Sequence, residues 1–366
     1  MQTRLAKLSE VLQANSLNAL ALNPGPSLVY LTGLHFHLME RPVVAFFTAT
    51  GQQAIVLPRL EAPKVVSRTD LQPFLYDEDP ARWHEAFRAA VEALGLQQAR
   101  IGVEPDRLRV LELRFLESAA PGATFPSAAQ AIAALRATKD AEEIAAMEHA
   151  VHIAQEALAA ALQTFRVGMT EKELAAELVA QLLRHGSEPE LPFQPIVSAG
   201  PNSANPHALP TERPIQPGDL LIIDWGATHQ GYFSDLTRTF AIGEVDAELA
   251  HIAALVRQAN AAGRQAARPG IPAGEVDKAA REVIAAAGYG DYFTHRTGHG
   301  LGMDVHERPF IFADNDEVLR PGMVFTVEPG IYLPGRGGVR VEDDVVVTAD
   351  GARSLSDLPR NLQRLG

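Results

Sequence analysis

The chain has 366 residues, 46% of them hydrophobic, with 32 basic against 45 acidic side chains and a formal net charge of −13. That length suits one large domain or two ordinary ones, and the acidic balance repels nucleic-acid phosphates and anionic membrane surfaces. Cysteine is absent, which excludes disulfide scaffolds, thiol nucleophiles and thiolate zinc sites, so any metal must be held by His, Asp and Glu.

No apolar run approaches the roughly 18 residues of a membrane span, and Met1-Gln2-Thr3-Arg4-Leu5 leads into Lys7 and Glu10 rather than into a signal-peptide core. A cytoplasmic protein with no nucleic-acid or membrane partner is expected. Leu5, Leu8, Val11 and Leu12 fall on one face of an amphipathic helix, followed by short apolar segments at Ala19 to Leu22 and Ser27 to Leu31. Val43 to Phe47 and Ala54 to Leu57, joined by Thr50-Gly51-Gln52-Gln53, read as a hairpin. A helix around Arg82 to Leu94, a strand at Arg100 to Val103 and a helix from about Asp106 to Glu117 complete an α/β unit.

The stretch from Ser118 to Gln130 is small, uncharged and punctuated by proline, the composition of a connection between domains. The expected division is therefore residues 1–130 and 131–366. Beyond it a long helix runs from about Asp140 to Phe165, and Thr170-Glu171-Lys172-Glu173 is a capping box opening a helix to Leu183. Another helix spans roughly Gly274 to Ala287 and stops at Gly288. The segments around these helices alternate as half-buried antiparallel strands do.

Two of those segments read as hairpins with acids on facing strands. Leu220-Leu221-Ile222-Ile223-Asp224-Trp225-Gly226 turns at His229-Gln230-Gly231 and returns through Tyr232 to Phe240, carrying Asp235. Val324-Phe325-Thr326-Val327-Glu328-Pro329-Gly330 is answered by Gly337-Gly338-Val339-Arg340-Val341-Glu342. A single strand carboxylate is usually a solvated one. Asp224, however, follows four apolar residues, and Glu328 follows Val324, Phe325 and Val327, where a charge is costly unless paired or metal-bound. If the hairpins face each other, four carboxylates converge, and two divalent cations would compensate their repulsion. Between the hairpins lies His295-Arg296-Thr297-Gly298-His299-Gly300-Leu301-Gly302, whose glycines let the backbone approach a crowded centre. As a phosphate loop this segment lacks the spacing of a dinucleotide fingerprint.

The ordered set Asp224, Asp235, His299, Glu328 and Glu342 resembles the five-ligand signature of the pita-bread metallopeptidases, which include methionine aminopeptidase, aminopeptidase P and prolidase. The likeness covers the chain from about Leu135 onward. The first third resembles the smaller α/β domain of the proline-specific members and creatinase, a domain that methionine aminopeptidases generally lack, while creatinase lacks the ligands. The resemblance implies an α+β protein, with a creatinase-like α/β domain followed by a pita-bread catalytic domain. It implies two divalent ions per subunit, manganese foremost and cobalt or zinc as alternatives. Asp235 and Glu342 would bridge them, Asp224 would hold one, and His299 with Glu328 the other. A hydroxide shared by the ions would be the nucleophile and Glu328 a proton shuttle.

By the same likeness His207 assists at the leaving or attacking group and His306 contacts the substrate near the scissile carbonyl, while His295 and Arg340 match substrate-side residues of the proline-specific branch. Each has a plainer reading as a loop or structural residue. Thr237 and Arg238 read as supports that orient the hairpin. The implied activity is Xaa-Pro dipeptidase, with Xaa-Pro aminopeptidase acting on longer peptides as the alternative, a non-catalytic peptide- or protein-binding relative as the remote one, and a homodimer as the assembly. One departure bears on substrate: compact prolidases often carry an arginine where this chain has Phe310. Arg340, or His37 and Arg41 reaching a partner subunit's cleft, are the candidates to replace it.

Overall fold

The computed structural model describes residues 2–366, and the chain divides into two compact units between Arg136 and Ala137. In the first, α1 (Gln2–Ala14), β1 (Ala19–Leu22), α2 (Pro26–Thr32), β2 (Val44–Thr48), β3 (Gln53–Pro58), β4 (Gln72–Tyr76), α3 (Trp83–Ala93), β5 (Ile101–Val103), α4 (Val110–Ala119) and α5 (Ala129–Arg136) follow in order. The strands form one mixed sheet ordered β4-β3-β2-β1-β5. The expected hairpin is β2 and β3, with Phe47 opposite Gln53 and Gly51 at φ 88° in the turn. Ser27 to Leu31 lies within the helix α2, which starts with proline and ends at Gly33, φ 70°. The expected helix from Asp106 starts later, at Val110, because Arg107 and Leu108 first donate to the Glu104 carbonyl in a turn. The proline-punctuated stretch runs along β5, where Ile101 N donates to Thr124 O and Val103 N to Pro126 O, before the chain enters α5.

The second unit holds α6 (Ala141–Thr164), α7 (Glu171–Arg184), β6 (Ile196–Ala199), β7 (Leu220–Trp225), β8 (Thr228–His229), β9 (Tyr232–Phe233), β10 (Leu236–Ile242), α8 (Ala247–Ala266), α9 (Gly274–Ala286), β11 (Gly298–Gly300), β12 (Glu307–Ile311), β13 (Val324–Val327), β14 (Gly330–Leu333), β15 (Gly337–Arg340), β16 (Asp343–Val347), β17 (Ala352–Ser354) and β18 (Gln363–Leu365). Two helices followed by antiparallel strands occur twice: α6 and α7 precede β6-β7-β10, and α8 and α9 precede β11-β13-β16. Both sheets are antiparallel except at the β10–β18 edge. This is the α+β class expected. Among the described residues no helix is long and apolar enough to cross a membrane.

Local chemistry explains the helices. Asp140 caps α6 by accepting from the N–H groups of Glu142 and Glu143 at 3.0 and 2.9 Å, and Glu143 answers at the Asp140 N–H. Thr170 and Glu173 repeat the device at α7. Leu174, Leu178 and Leu182 then face Leu221, Ile223 and Phe240 of the sheet, and Trp225 donates its indole N–H to Ala154 O of α6 at 2.8 Å. Burying each such side chain contributes roughly 1.5–3 kcal/mol. The sequence reading lacked α8, although Asp246 caps it and Leu249, Ile252, Ala253 and Val256 mark its buried face.

Close backbone approach sets the glycines beside His299. A Cβ on Gly298 would sit 1.8 Å from Thr326 O, and one on Gly300 2.3 Å from Arg308 O. Gly298→Ala is therefore expected to push β11 from β13 and cost on the order of 2 kcal/mol, read as a lower urea midpoint; an unchanged midpoint would contradict the close approach.

Candidate metal centre

An isolated bridge between Thr237 and Glu342 lies at the centre of the junction between the two halves of the second unit. Glu342 N donates to Thr237 O at 3.1 Å, and Thr237 Oγ1 donates to Glu342 Oε2 at 2.6 Å. Around this junction the structure gathers all five residues of the acid–histidine set. Asp224 ends the apolar run of β7, opposite Thr237. Asp235 lies in the break between β9 and β10, so the expected continuous return strand from Tyr232 is interrupted there. Its N–H donates to Asp344 Oδ2 at 3.1 Å, and Gly226 makes room for the kinked chain, since a Cβ there would fall 2.0 Å from Ser234 O.

In the other hairpin, Val327 pairs with Asp343 and Gly330 with Arg340. The break between those pairs frees Glu328 and Glu342 at facing positions. Glu328 is held by its N–H to Thr297 O at 2.8 Å. His299, in the middle of β11, places Nε2 3.7 Å from Asp235 Oδ2 and 3.4 Å from Glu328 Oε1. Asp235, His299 and Glu342 offer ligand atoms within 4.8 Å of one another.

Burial makes this cluster electrostatically expensive. It pushes the Asp235 carboxyl well above the usual range, and Glu342, Asp224, Asp344 and Glu328 add to the rise. Glu342 is raised by burial and then by Glu328 and Asp224. Glu328 is pushed up to about 7, chiefly by burial, with Arg340 opposing. Burial also raises Asp224 against the pull of Arg340, and drives His299 well below its ordinary value, with His306 adding to the drop. The neighbour Asp343 is the contrast: burial would raise it, yet Arg238 and Arg360 hold it at about 2.

The remaining expected residues differ in their engagement. Arg340 donates to Asp224 Oδ2 at 2.6 Å, Tyr332 OH at 2.9 Å, Thr237 Oγ1 at 3.1 Å and Pro206 O at 3.2 Å. Its fork is spent inside the protein, which leaves little of it for a substrate carboxylate. His295 Nε2 pairs with the Tyr332 hydroxyl at 2.9 Å, and its Nδ1 lies 3.9 Å from Glu328 Oε2; burial and then Arg340 lower its pKa to about 4. His306 sets its ring edge-on to His299, centroids 4.2 Å apart, and its pKa falls through burial and then the charges of Arg296 and His207. His207 is exposed, near enough to bias Asp224 electrostatically. Arg238 donates to Thr237 O, Glu342 O and Asp343 Oδ1, bracing the junction. In the first unit His37 is exposed, and Arg41 is engaged by Glu40 and Glu78.

Sequence reasoning missed Tyr332, Arg296 and Asp344. Tyr332 belongs to a strand whose pairing places it beside His295 and Arg340, which no local pattern announces.

The donor set fits divalent metal. Asp224 Oδ1 is buried with no hydrogen-bond partner among the described residues, a costly state that a cation would relieve. Four carboxylates and one neutral imidazole form an oxygen-rich set suited to manganese, cobalt or zinc. Comparison with known proteins agrees. Residues 145–349 match the model of metallopeptidase family M24 and residues 4–138 that of the creatinase/prolidase N-terminal domain. The chain belongs to metallopeptidase family M24. It is 37% identical to the Xaa-Pro dipeptidase of Lactobacillus helveticus, over 98% of each chain. Among solved structures it resembles a dipeptidase from Pyrococcus horikoshii OT3 (41% identity, TM-score 0.93, covering 99% of this chain and 100% of that one). It also resembles a recombinant prolidase from Thermococcus sibiricus (33% identity, TM-score 0.94, covering 100% and 99%).

The raised carboxyls give a signed pH dependence. Metal-free, folded Glu328 keeps a proton to about 7, whereas its ordinary value is 4.5. The stability it contributes is present below the ordinary value and is lost as pH rises through about 7, and Asp235 and Glu342 shift the same way. The Tm of chelator-treated protein should fall between about pH 5 and 8, and added Mn²⁺ should raise it more at the upper end. A metal-free Tm that climbs over this range would contradict the buried-carboxylate reading.

Proposed function

We propose that this metallopeptidase hydrolyses the peptide bond preceding proline, as an Xaa-Pro dipeptidase. The observation that carries the reading is the complete set of Asp224, Asp235, His299, Glu328 and Glu342 around one junction, in a chain that aligns end to end with proteins named dipeptidase or prolidase. In this reading Asp235 and Glu342 would bridge two divalent ions, manganese foremost and cobalt or zinc as alternatives, with Asp224 on one and His299 and Glu328 on the other. Bound there, divalent ions lower the pKa of water and polarise the scissile carbonyl.

The chain's own residues handle the protons. Beside the other ligands, Glu328 would accept a proton from the attacking water and return it to the prolyl nitrogen as the C–N bond breaks. His295, kept neutral by burial, is held at one ring nitrogen by the Tyr332 hydroxyl and at the other by Arg296 O, which sets its ring beside Glu328. Arg340 links Asp224 to Tyr332, and so ties one hairpin's acid to the other hairpin's scaffold. His306, also neutral, can donate to the carbonyl oxygen as charge develops on it, and His207 can meet the peptide from the exposed side.

The aminopeptidase alternative has one observation in its favour, Phe310 in place of an arginine. A binding-only relative is opposed by the intact acid set. Family likeness suggests a homodimer and the sequence a cytoplasmic location, and sedimentation of the purified protein tests the assembly.

Manganese-loaded protein incubated with Ala-Pro, Ala-Pro-Ala and Met-Ala-Ala, beside a chelated control, should consume Ala-Pro alone, followed by mass spectrometry. Loss of Ala-Pro-Ala would move the assignment to the aminopeptidase, and no cleavage with any metal would favour the binding relative. Asp235→Ala or Glu342→Ala should each lower activity by at least about 1,000-fold and reduce bound metal measured by elemental analysis. An active, metal-replete variant would overturn the bridging roles.

A further inference from the structure

We propose that Arg296, stacked on Phe310, forms a carboxylate-binding subsite that reads the free C-terminus of the substrate; the proposal rests on the dipeptidase reading above. Arg296 sits in the short segment between α9 and β11. Both neighbours are fixed: His295 by Tyr332, and Thr297 by its N–H to Asp277 Oδ1 at 3.0 Å and to Ile311 O at 2.9 Å. Phe310 lies directly across from His299 in the β11–β12 pair. Residues opposed in this way project to the same face of a sheet, so the aromatic ring stands on the side of the acid–histidine cluster. The Arg296 guanidinium carbon lies 4.5 Å from the centroid of that ring. Stacking holds the planar fork in one orientation and leaves its N–H groups free to donate in the plane.

Arg296 is half-buried, yet its side chain makes no hydrogen bond or ion pair among the described residues. Arg238, Arg264, Arg281, Arg340 and Arg360 in the same unit each pair with a carboxylate. Burial lowers the Arg296 pKa, with the charge of Glu328 opposing, and its own charge acts on His299 and His306. The guanidinium is therefore close enough to bias the cluster without being neutralised by it. An unpaired, partly desolvated fork of five N–H donors is the complement of an external carboxylate. In an Xaa-Pro dipeptide the free carboxylate lies one residue past the scissile bond, about 3.8 Å along the chain. The rival Arg340 is occupied by Asp224 and Tyr332 in a buried network, while Arg41 makes exposed pairs with Glu40 and Glu78.

The test compares wild type, Arg296→Gln and Arg296→Lys on Ala-Pro and on Ala-Pro amide, which lacks the negative terminus. Wild type should prefer the acid. Arg296→Gln should raise KM for Ala-Pro at least about 10-fold more than it raises KM for the amide, so that the preference for the acid is lost. Arg296→Lys should recover part of the preference. Calorimetry of proline against prolinamide supplies a readout without turnover: wild type should favour proline, and Arg296→Gln should not. If wild type cleaves Ala-Pro and Arg296→Gln keeps the full preference, or slows both substrates equally, the subsite is wrong and the dipeptidase reading stands. If wild type cleaves neither peptide, the dipeptidase reading falls. Calorimetry then decides the subsite, and a proline preference surviving in Arg296→Gln would overturn it.

Discussion

Four carboxylates and an imidazole packed where two sheets touch are the constraint on which this molecule depends. Asp224, Asp235 and Glu342 are buried and Glu328 nearly so, and among the described residues Arg340 alone brings them a paired guanidinium, bound to Asp224. Desolvating several like charges without matching cations costs far more than any packing gain among them could return. Burial accordingly raises all four carboxyls and lowers His299. Without a cation the site favours protonated carboxyls, and a bound cation would compete with those protons. The surrounding structure can bear this because the cost is set against three separate apolar clusters in the C-terminal unit, each packed between helix and sheet.

The scaffold also has to present the acids without letting them move. Thr237 does so from the centre: its carbonyl takes the Glu342 N–H, its hydroxyl donates to the Glu342 carboxylate, and it accepts from Arg340, which itself holds Asp224. One small β-branched residue thus relates acids from both hairpins. Strand breaks do the rest. Asp235, Glu328 and Glu342 all lie just outside regular pairing, where a side chain can turn toward a centre that an unbroken ladder would keep it from.

Much of this was legible in the sequence because it depends on local chemistry. Four apolar residues before Asp224, glycines flanking His299 and the capping residues at Thr170 all carry their meaning within a few positions. Helix α8 carries its signal in Asp246 and the spacing of Leu249, Ile252 and Val256, but alanines between them blur the amphipathic pattern. Tyr332 and Arg296 are different. Their importance comes from what they meet across 37 residues in one case and from a ring on the next strand in the other. A tyrosine in a strand and an arginine in a loop look the same whether or not such partners exist. Arg340 shows the converse, since a residue expected to face substrate is consumed by internal acceptors that only the fold supplies.

Glu342 and Asp343 bring the point down to one peptide bond. Both are buried acids at the start of the same strand segment, and sequence chemistry cannot rank them. Asp343 points to Arg238 and Arg360, is held at about 2, and serves as the anion of a permanent ion-pair network. Glu342 points the other way, toward Asp224 and Glu328, and is driven upward. Alternation along an extended chain sends neighbours to opposite faces, so a single step separates a carboxylate whose charge is satisfied from one whose charge requires a ligand. The arginines help to separate the two roles here: Arg238 and Arg360 together hold Asp343 as a permanent anion, whereas Asp235, Glu328 and Glu342 have no guanidinium partner among the described residues and Asp224 shares one with a free second oxygen. Arg296 follows the same logic in reverse. It is a half-buried cation with no acid partner among the described residues, placed beside a cluster of acids.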